Sequence, residues 1–159
     1  MLNFRTLIPF KVNNTADGNN QDHIFYPVDD DRVKVIEENL GFSLPEELID
    51  FYKKIGYGFF WRKNMDSFDR LLSPLQVAQI TLKEDHYEGD PDLEVYDDIY
   101  DGDKLLFFEI NEGLYLAIDK ETKNGKNKIY YFDKVVFDSL ESFIKAFLAN
   151  QNLLNELED

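Results

Sequence analysis

The 159 residues suit a single domain, and 32 Asp and Glu against 17 Lys and Arg give a net charge of −15. With 43% hydrophobic residues, including 14 Phe and 9 Tyr, the chain is too apolar for a disordered acidic segment, so we expect a folded domain. The absence of Cys excludes disulfides, thiol nucleophiles and thiolate metal sites, and the negative charge disfavours binding to nucleic acid or anionic membranes.

The first 23 residues are predicted to be an N-terminal extension or an edge element of the domain. Leu7, Ile8 and Phe10 fit either an edge strand or a short helix followed by a loop. The N-terminus lacks the charged region, long apolar stretch and cleavage site of a signal peptide. No run approaches the roughly 18 apolar residues of a membrane span. We therefore expect a cytoplasmic protein with no membrane partner.

Two amphipathic helices are predicted in the next part of the chain. The acids at 29–31 can cap a helix that runs to Leu40, and Gly41 is a typical residue for its end. Ser43 and Glu46 have the spacing of a capping box, in which two side chains satisfy the first N–H groups of a helix. A second helix is therefore expected to begin there and to end near residue 56.

Two further helices are predicted downstream. Ser73 and Pro74 favour the start of a short helix whose apolar residues include Leu75. Asp138 and Glu141 form a second capping-box pattern, which predicts a C-terminal helix. The apolar stripe of that helix consists of Leu140, Phe143, Ile144 and Phe147.

Strands are predicted at residues 57–61, 105–110, 114–118, 129–132 and 135–137, from their apolar and aromatic content. The turn at 111–113 and the Asn-Gly pair at 124–125 suit tight reversals. Consecutive strands joined by short turns are antiparallel. The sequence therefore predicts an α+β fold, a single domain with a mixed or largely antiparallel sheet flanked by helices.

The acidic charge is concentrated in residues 84–103, which contain ten acids and no Lys or Arg and leave only −5 for the rest of the chain. Repulsion among these charges and the lack of a clear period predict a long loop with at most a short ordered turn. Tyrosines and carboxylates together favour binding to a basic protein. The alternative is a solvated loop that its own charge holds away from the core.

Residues suited to catalysis or metal binding are few. The chain has two histidines, His23 and His86, and contains no nucleophile-elbow pattern and no glycine-rich phosphate loop. An EF-hand alignment on Gly102 places Ile99 and Phe108 at positions that require oxygen ligands. We therefore expect a protein that is not an enzyme, with no cofactor, no metal site and no catalytic residue.

An aromatic cluster at Phe59, Phe60 and Trp61 has two interpretations. Its rings can form a stacking platform for a ligand, or they can belong to the hydrophobic core. The core interpretation is favoured, because aromatic side chains supply much of the buried area of a small domain.

Residues 26–61 resemble the N-terminal half of the SUKH (Smi/Knr-type) superfamily. An amphipathic helix ends in Leu-Gly, Leu-Pro opens a second helix with an aromatic pair, and a glycine leads into an aromatic strand. Residues 71–74 are similar to the family's step from strand to helix. The resemblance covers roughly residues 24–150 and leaves 151–159 as a helix end or tail. The matching positions are Glu37, Glu38, Leu40, Gly41, Leu44, Pro45, Phe51, Tyr52 and Gly56.

The resemblance implies that the chain is an immunity protein, because bacterial members neutralise polymorphic toxins that are often nucleases. We expect a cognate toxin with a basic surface as partner, bound by occlusion, and no direct contact with nucleic acid. Fungal relatives imply the alternative of a regulatory or scaffold protein in cell-wall or stress signalling. An enzyme or a metal-dependent protein is a third hypothesis. The candidate partner-binding residues are Asp90, Asp92, Glu94, Tyr96, Asp97, Asp98, Tyr100 and Asp101.

Overall fold

Seven strands form one sheet in which the strand order follows the chain order, and each neighbouring pair is antiparallel. The computed structural model describes residues 4–11, 23–61, 68–111, 113–150 and 152–157, without the side chains of Phe68 and His86. The strands are β1 (His23–Tyr26), β2 (Tyr57–Trp61), β3 (Phe68–Leu71), β4 (Lys104–Ile110), β5 (Leu114–Asp119), β6 (Ile129–Tyr131) and β7 (Lys134–Phe137).

Helices lie between and after these strands, so the α+β prediction is confirmed. The α-helices are α1 (Asp30–Leu40), α2 (Glu46–Lys54), α3 (Pro74–Leu82), α4 (Pro91–Ile99), α5 (Leu140–Ala149) and α6 (Leu153–Leu157). Two short 3-10 helices span Arg5–Phe10 and Asp85–Tyr87.

The N-terminal segment forms the first 3-10 helix rather than an edge strand. One parallel bridge between Lys11 and Phe25 joins it to β1, and Phe4 packs edge-on against Phe51 at 4.8 Å between ring centroids. The rest of the predicted extension, at 12–22, lies outside the described residues.

All five predicted strands are present, whereas β1 and β3 were missed. Both contain only four residues, and β3 pairs with β4 through Arg70 and Leu71. Strands this short carry little periodicity, because one polar residue is enough to obscure the alternation of faces.

The first and third predicted helices follow their local signals. The Asp29 carboxylate accepts a hydrogen bond from the Asp31 N–H at 2.9 Å, and Gly41 ends α1 with a φ of +84°. Ser73 and Gln76 form a reciprocal capping box at the start of α3. Leu75 is nevertheless 47% exposed, so the buried side of this helix consists of Pro74, Val77, Ala78 and Ile80.

The capping box predicted at Ser43 and Glu46 is wrong. The residue before α2 is Pro45, which makes no side-chain cap. The first N–H groups of α2 instead donate to side chains of the turn between β5 and β6. The Glu46 N–H donates to Thr122 Oγ1 at 3.1 Å, and the next N–H donates to Asn127 Oδ1 at 3.3 Å.

The capping box predicted at Asp138 and Glu141 is not formed, and the N-cap of α5 lies one residue later. Ser139 is the cap of α5, and its Oγ accepts from the Ser142 N–H at 3.0 Å. The Leu140 N–H and the Glu141 N–H both donate to the carboxylate of Glu47 on α2. The helix is therefore capped by its own serine and by a residue far away in the chain.

Helices α2 and α5 belong to the layer on one side of the sheet, which we call the helical face. Phe60 of β2 packs edge-on against Phe147 of α5 at 5.4 Å, and Phe108 of β4 packs against Phe143 at 5.1 Å. These rings are fully buried. The other side of the sheet, which we call the open face, carries α4.

Glu47 links α2, α5 and the turn between β5 and β6 through one buried carboxylate. Its side chain is 1% exposed and accepts from the N–H groups of Asn127 at 2.6 Å, Leu140 at 3.0 Å and Glu141 at 3.1 Å. A buried charge is tolerated only when it is hydrogen-bonded, and the N-terminus of α5 also favours a negative charge. Three elements therefore depend on this residue.

Glu47→Gln is expected to lower the free energy of unfolding by about 3 kcal/mol, because it removes the charge and places an amide N–H₂ against backbone donors. Urea unfolding monitored by circular dichroism measures the change. Glu46→Gln is the matched control, since Glu46 is exposed one position earlier on the same helix. Equal midpoints for the two variants would contradict the importance given to Glu47.

Candidate partner-binding surface

The acidic segment contains a helix, so the prediction of a long loop is wrong. After the 3-10 helix at Asp85–Tyr87, Asp90 caps α4 by accepting from the Asp92 N–H at 2.9 Å, and Pro91 takes the first helical position. The missed signals were this Asp-Pro start and the spacing of Leu93, Tyr96 and Tyr100 at i, i+3 and i+7.

Tyr96 attaches α4 to the open face of the sheet. It is 4% exposed, and its hydroxyl accepts from the Tyr115 N–H of β5 at 2.8 Å. Its ring lies parallel to that of Phe132, with 5.5 Å between centroids and 4° between planes. This tyrosine therefore belongs to the packing of the domain and is not an exposed contact residue.

Tyr100 attaches the end of α4 to the turn between β6 and β7, which contains Phe132. Its hydroxyl donates to the Phe132 carbonyl oxygen at 2.6 Å, and the Lys104 ammonium lies 5.5 Å from the centre of its ring. Lys83, the residue that follows α3, forms an ion pair with Asp97 of α4. The two tyrosines and this ion pair hold α4 in a defined position.

The carboxylates of the predicted site lie mainly on the outer side of α4. Of the eight predicted residues, Tyr96 is buried, and Asp90 and Tyr100 are half-buried. We call the remaining five, all exposed, the acidic face. They are Asp92, Glu94, Asp97, Asp98 and Asp101.

Only part of the acidic face favours the helix, because Asp92 and Glu94 lie in its first turn, where the helix dipole favours negative charge. Glu94, Asp97 and Asp98 have the i, i+3 and i+4 spacing of one stripe of α4, and Asp101 follows just after the helix ends. Asp97 and Asp98 lie in the last turn of α4, where the helix dipole disfavours negative charge and where no basic residue occurs. Lys83 compensates the charge of Asp97, so Asp98 is the acid of this turn whose placement does not serve helix stability.

His23 is buried, its Nδ1 accepts from the Trp61 N–H at 3.1 Å, and its ring packs edge-on against Phe10 and Phe60. It is therefore a core residue. The side chain of His86 lies outside the described part of the structure.

The aromatic cluster of β2 divides between the two faces of the sheet. Phe60 is fully buried in the helical face, which confirms the core interpretation for this residue. Phe59 and Trp61 are half-buried and alternate with it, so they point to the open face.

A cavity of about 560 Å³ lies beside the turn between β5 and β6. Acids and lysines alternate along its wall, so it presents no charge of a single sign. Its lining includes Asp103, Asp119, Lys123, Lys126, Lys128 and Tyr130. Among the described residues, no group of three or more His, Asp and Glu is placed to hold a metal ion. None of the described helices is long and apolar enough to cross a membrane.

Comparison with known proteins identifies the family. The model of the SMI1/KNR4 family (SUKH-1) matches residues 27–146, the segment from the residue after β1 to the middle of α5. The chain belongs to the SMI1/KNR4 (SUKH-1) family. This confirms the resemblance read from the sequence. A relative, immunity protein YxxD of Bacillus subtilis (strain 168), is 36% identical over 140 residues, which cover 88% of this chain and 93% of that protein.

The tyrosines on and around α4 limit the stability of the domain at alkaline pH. Burial raises the pKa of Tyr96, Tyr100 and Tyr115 above its ordinary value of about 10. Burial, with a hydrogen bond to Asp119, raises the pKa of Tyr130 to about 12. The folded state therefore holds these protons more tightly than the unfolded state. Their stabilising contribution is complete below about pH 10 and decreases as the pH rises further.

Tyr100→Phe is expected to cost about 1 kcal/mol at pH 8, through the lost hydrogen bond to Phe132. The difference from the unchanged protein should shrink between pH 10 and 11.5, because the variant lacks one of the titrating groups. Urea unfolding at each pH measures it. Val135→Thr on β7, which removes no titrating group, should show a constant difference. A constant difference for Tyr100→Phe as well would contradict this origin of the alkaline limit.

Proposed function

We propose that this chain is a cytoplasmic immunity protein that binds a cognate toxin domain and blocks it by occlusion, without catalysis. Family membership and the named relative support the role. The acidic face supports the binding mode: five exposed carboxylates on and just after a helix that two tyrosines hold in place.

Electrostatics determines which partner suits this surface. A concentration of negative charge accelerates encounter with a basic protein, and this steering weakens with salt because the Debye length falls to about 3 Å at 1 M. A stripe of carboxylates also resembles the row of phosphates along a nucleic acid strand. A nuclease that binds its substrate through Lys and Arg is therefore the kind of toxin that we expect α4 to occupy.

The attachment of α4 contributes to affinity as well as to shape. Tyr96 and Tyr100 fix the helix before any partner arrives, so the cost of ordering it is already met within the folded domain. A flexible acidic loop would lose that entropy on binding. An ordered acidic helix therefore suits tight inhibition better than the loop expected from the sequence.

The triple variant Glu94→Gln, Asp98→Asn, Asp101→Asn tests the acidic face. These residues form no ion pair within the described part of the chain, and Asp90 and Asp97 are left unchanged because they support the helix. The probe is the isolated C-terminal domain of the toxin encoded by the adjacent gene. We expect Kd to rise about 10- to 100-fold in 50 mM NaCl and far less in 500 mM NaCl.

The matched control is Asp30→Asn, Glu38→Gln, Glu46→Gln, which changes the net charge equally at exposed positions of α1 and α2. It should alter Kd less than threefold. Co-expression with the toxin gives a second measurement, in which only the α4 variant should lose protection. Full protection by the α4 variant would contradict the role of the acidic face. Absence of binding by the unchanged chain would contradict the proposed function itself.

A further inference from the structure

Strands β1 and β2 are apolar on both faces, which is unusual for the edge of an antiparallel sheet. A sheet with one face in solvent normally alternates apolar and polar residues. Here Phe25 and Phe60 point to the helical face and are buried, and the residues that alternate with them are apolar too. We call this second row the aromatic strip. It consists of Ile24, Tyr26, Tyr57, Phe59 and Trp61.

The aromatic strip remains accessible on the open face. Ile24 and Tyr26 are each 37% exposed, and Tyr57, Phe59 and Trp61 are half-buried. The rings of Tyr26 and Tyr57 lie 5.6 Å apart across the two strands. A contiguous apolar patch of this kind is typical of an interaction surface, whereas single exposed apolar residues are not.

A cavity continues the aromatic strip at its Tyr57 end. It has a volume of about 280 Å³ and is open towards solvent between α1, α3 and the strip. Its apolar lining consists of Pro27, Val28, Ile36, Tyr57, Pro74 and Leu75. The exposure of Leu75 at the start of α3, which the helix pattern did not predict, is explained by its position on this rim. A protruding apolar side chain of a partner can enter here.

The aromatic strip and the acidic face lie close enough for one partner to cover both. Phe59 pairs in register with Arg70, Arg70 with Glu109, and Glu109 with Tyr115, whose ring contacts that of Tyr96 on α4. The three strand spacings from Phe59 on β2 to Tyr115 on β5, the strand beneath α4, amount to roughly 14 Å. A standard interface of about 800 Å² per partner is about 28 Å across. Arg70 and Glu109 lie between the two surfaces and form an ion pair with each other, so this pair adds no net charge there.

We propose that the aromatic strip and its cavity bind an apolar segment of the same toxin whose basic residues meet the acidic face. This inference rests on the proposed function and adds the second half of the interface. The partner chemistry follows from the surface: uncharged apolar side chains opposite β1 and β2, flanked by Lys or Arg opposite α4. Buried apolar anchors typically supply most of the affinity, and rim charges supply mainly the rate of encounter.

The variant Ile24→Thr, Tyr26→Thr tests this surface, since Thr keeps a high strand propensity while removing the apolar area. With the same toxin domain as probe, we expect Kd to rise at least tenfold in both 50 mM and 500 mM NaCl. The slope of log Kd against log salt should stay unchanged, in contrast to the α4 triple variant. Val135→Thr is the matched control, 46% exposed on the opposite edge strand β7.

Leu75→Ala provides an independent test on a helix, where the substitution does not disturb strand pairing. It should raise Kd at least threefold, whereas Leu82→Ala, 41% exposed at the other end of α3, should not. Unchanged Kd in both the double strand variant and Leu75→Ala would overturn the proposal while leaving the proposed function intact. Light scattering that shows a dimer of the free chain, lost in the strand variant with Kd unchanged, would overturn it in favour of self-association. No binding by the unchanged chain overturns both.

Discussion

The buried carboxylate of Glu47 is the constraint on which the rest of the structure depends. Its hydrogen-bond donors lie 80, 93 and 94 residues further along the chain, so this one side chain joins α2 to the turn between β5 and β6 and to the start of α5. The helix dipole of α5 and three N–H groups compensate the cost of burying the charge. Because this arrangement secures the helical face, the other face of the sheet is available for recognition.

The parts of the fold that sequence predicts are those decided within a few residues. Gly41 ends α1 and Ser73 caps α3, because each acts on its own backbone neighbours. The predicted start of α2 is wrong, although Ser43 and Glu46 have the spacing of a capping box. The first N–H groups of the helix are capped by Thr122 and Asn127 instead. Local patterns contain no information about a donor or acceptor contributed from the far end of the chain.

The composition of the sequence indicates where the candidate site lies, but it did not predict the structure of the site. Repulsion among ten acids was the reason for predicting a loop. Leu93 and Tyr96 are buried against the sheet, and the apolar area that they bury outweighs this repulsion. The tyrosines expected to contact a partner instead attach α4 to the domain. The carboxylates remain the predicted contacts, and the aromatic strip was hidden because an apolar strand edge and a core strand have the same sequence pattern.

Two glycines next to the aromatic strip have a further consequence. A Cβ at Gly56 or Gly58 would lie 2.0 Å from the carbonyl oxygen of Tyr26 or of Ile24, so neither position accepts a side chain while β1 and β2 stay paired. The exposed carboxylates of Glu94 and Asp98 on α4 are under no such restriction, because they form no ion pair within the described part of the chain. Substitutions at these two positions can therefore change the charge pattern of the surface while the backbone beneath the strip stays constant.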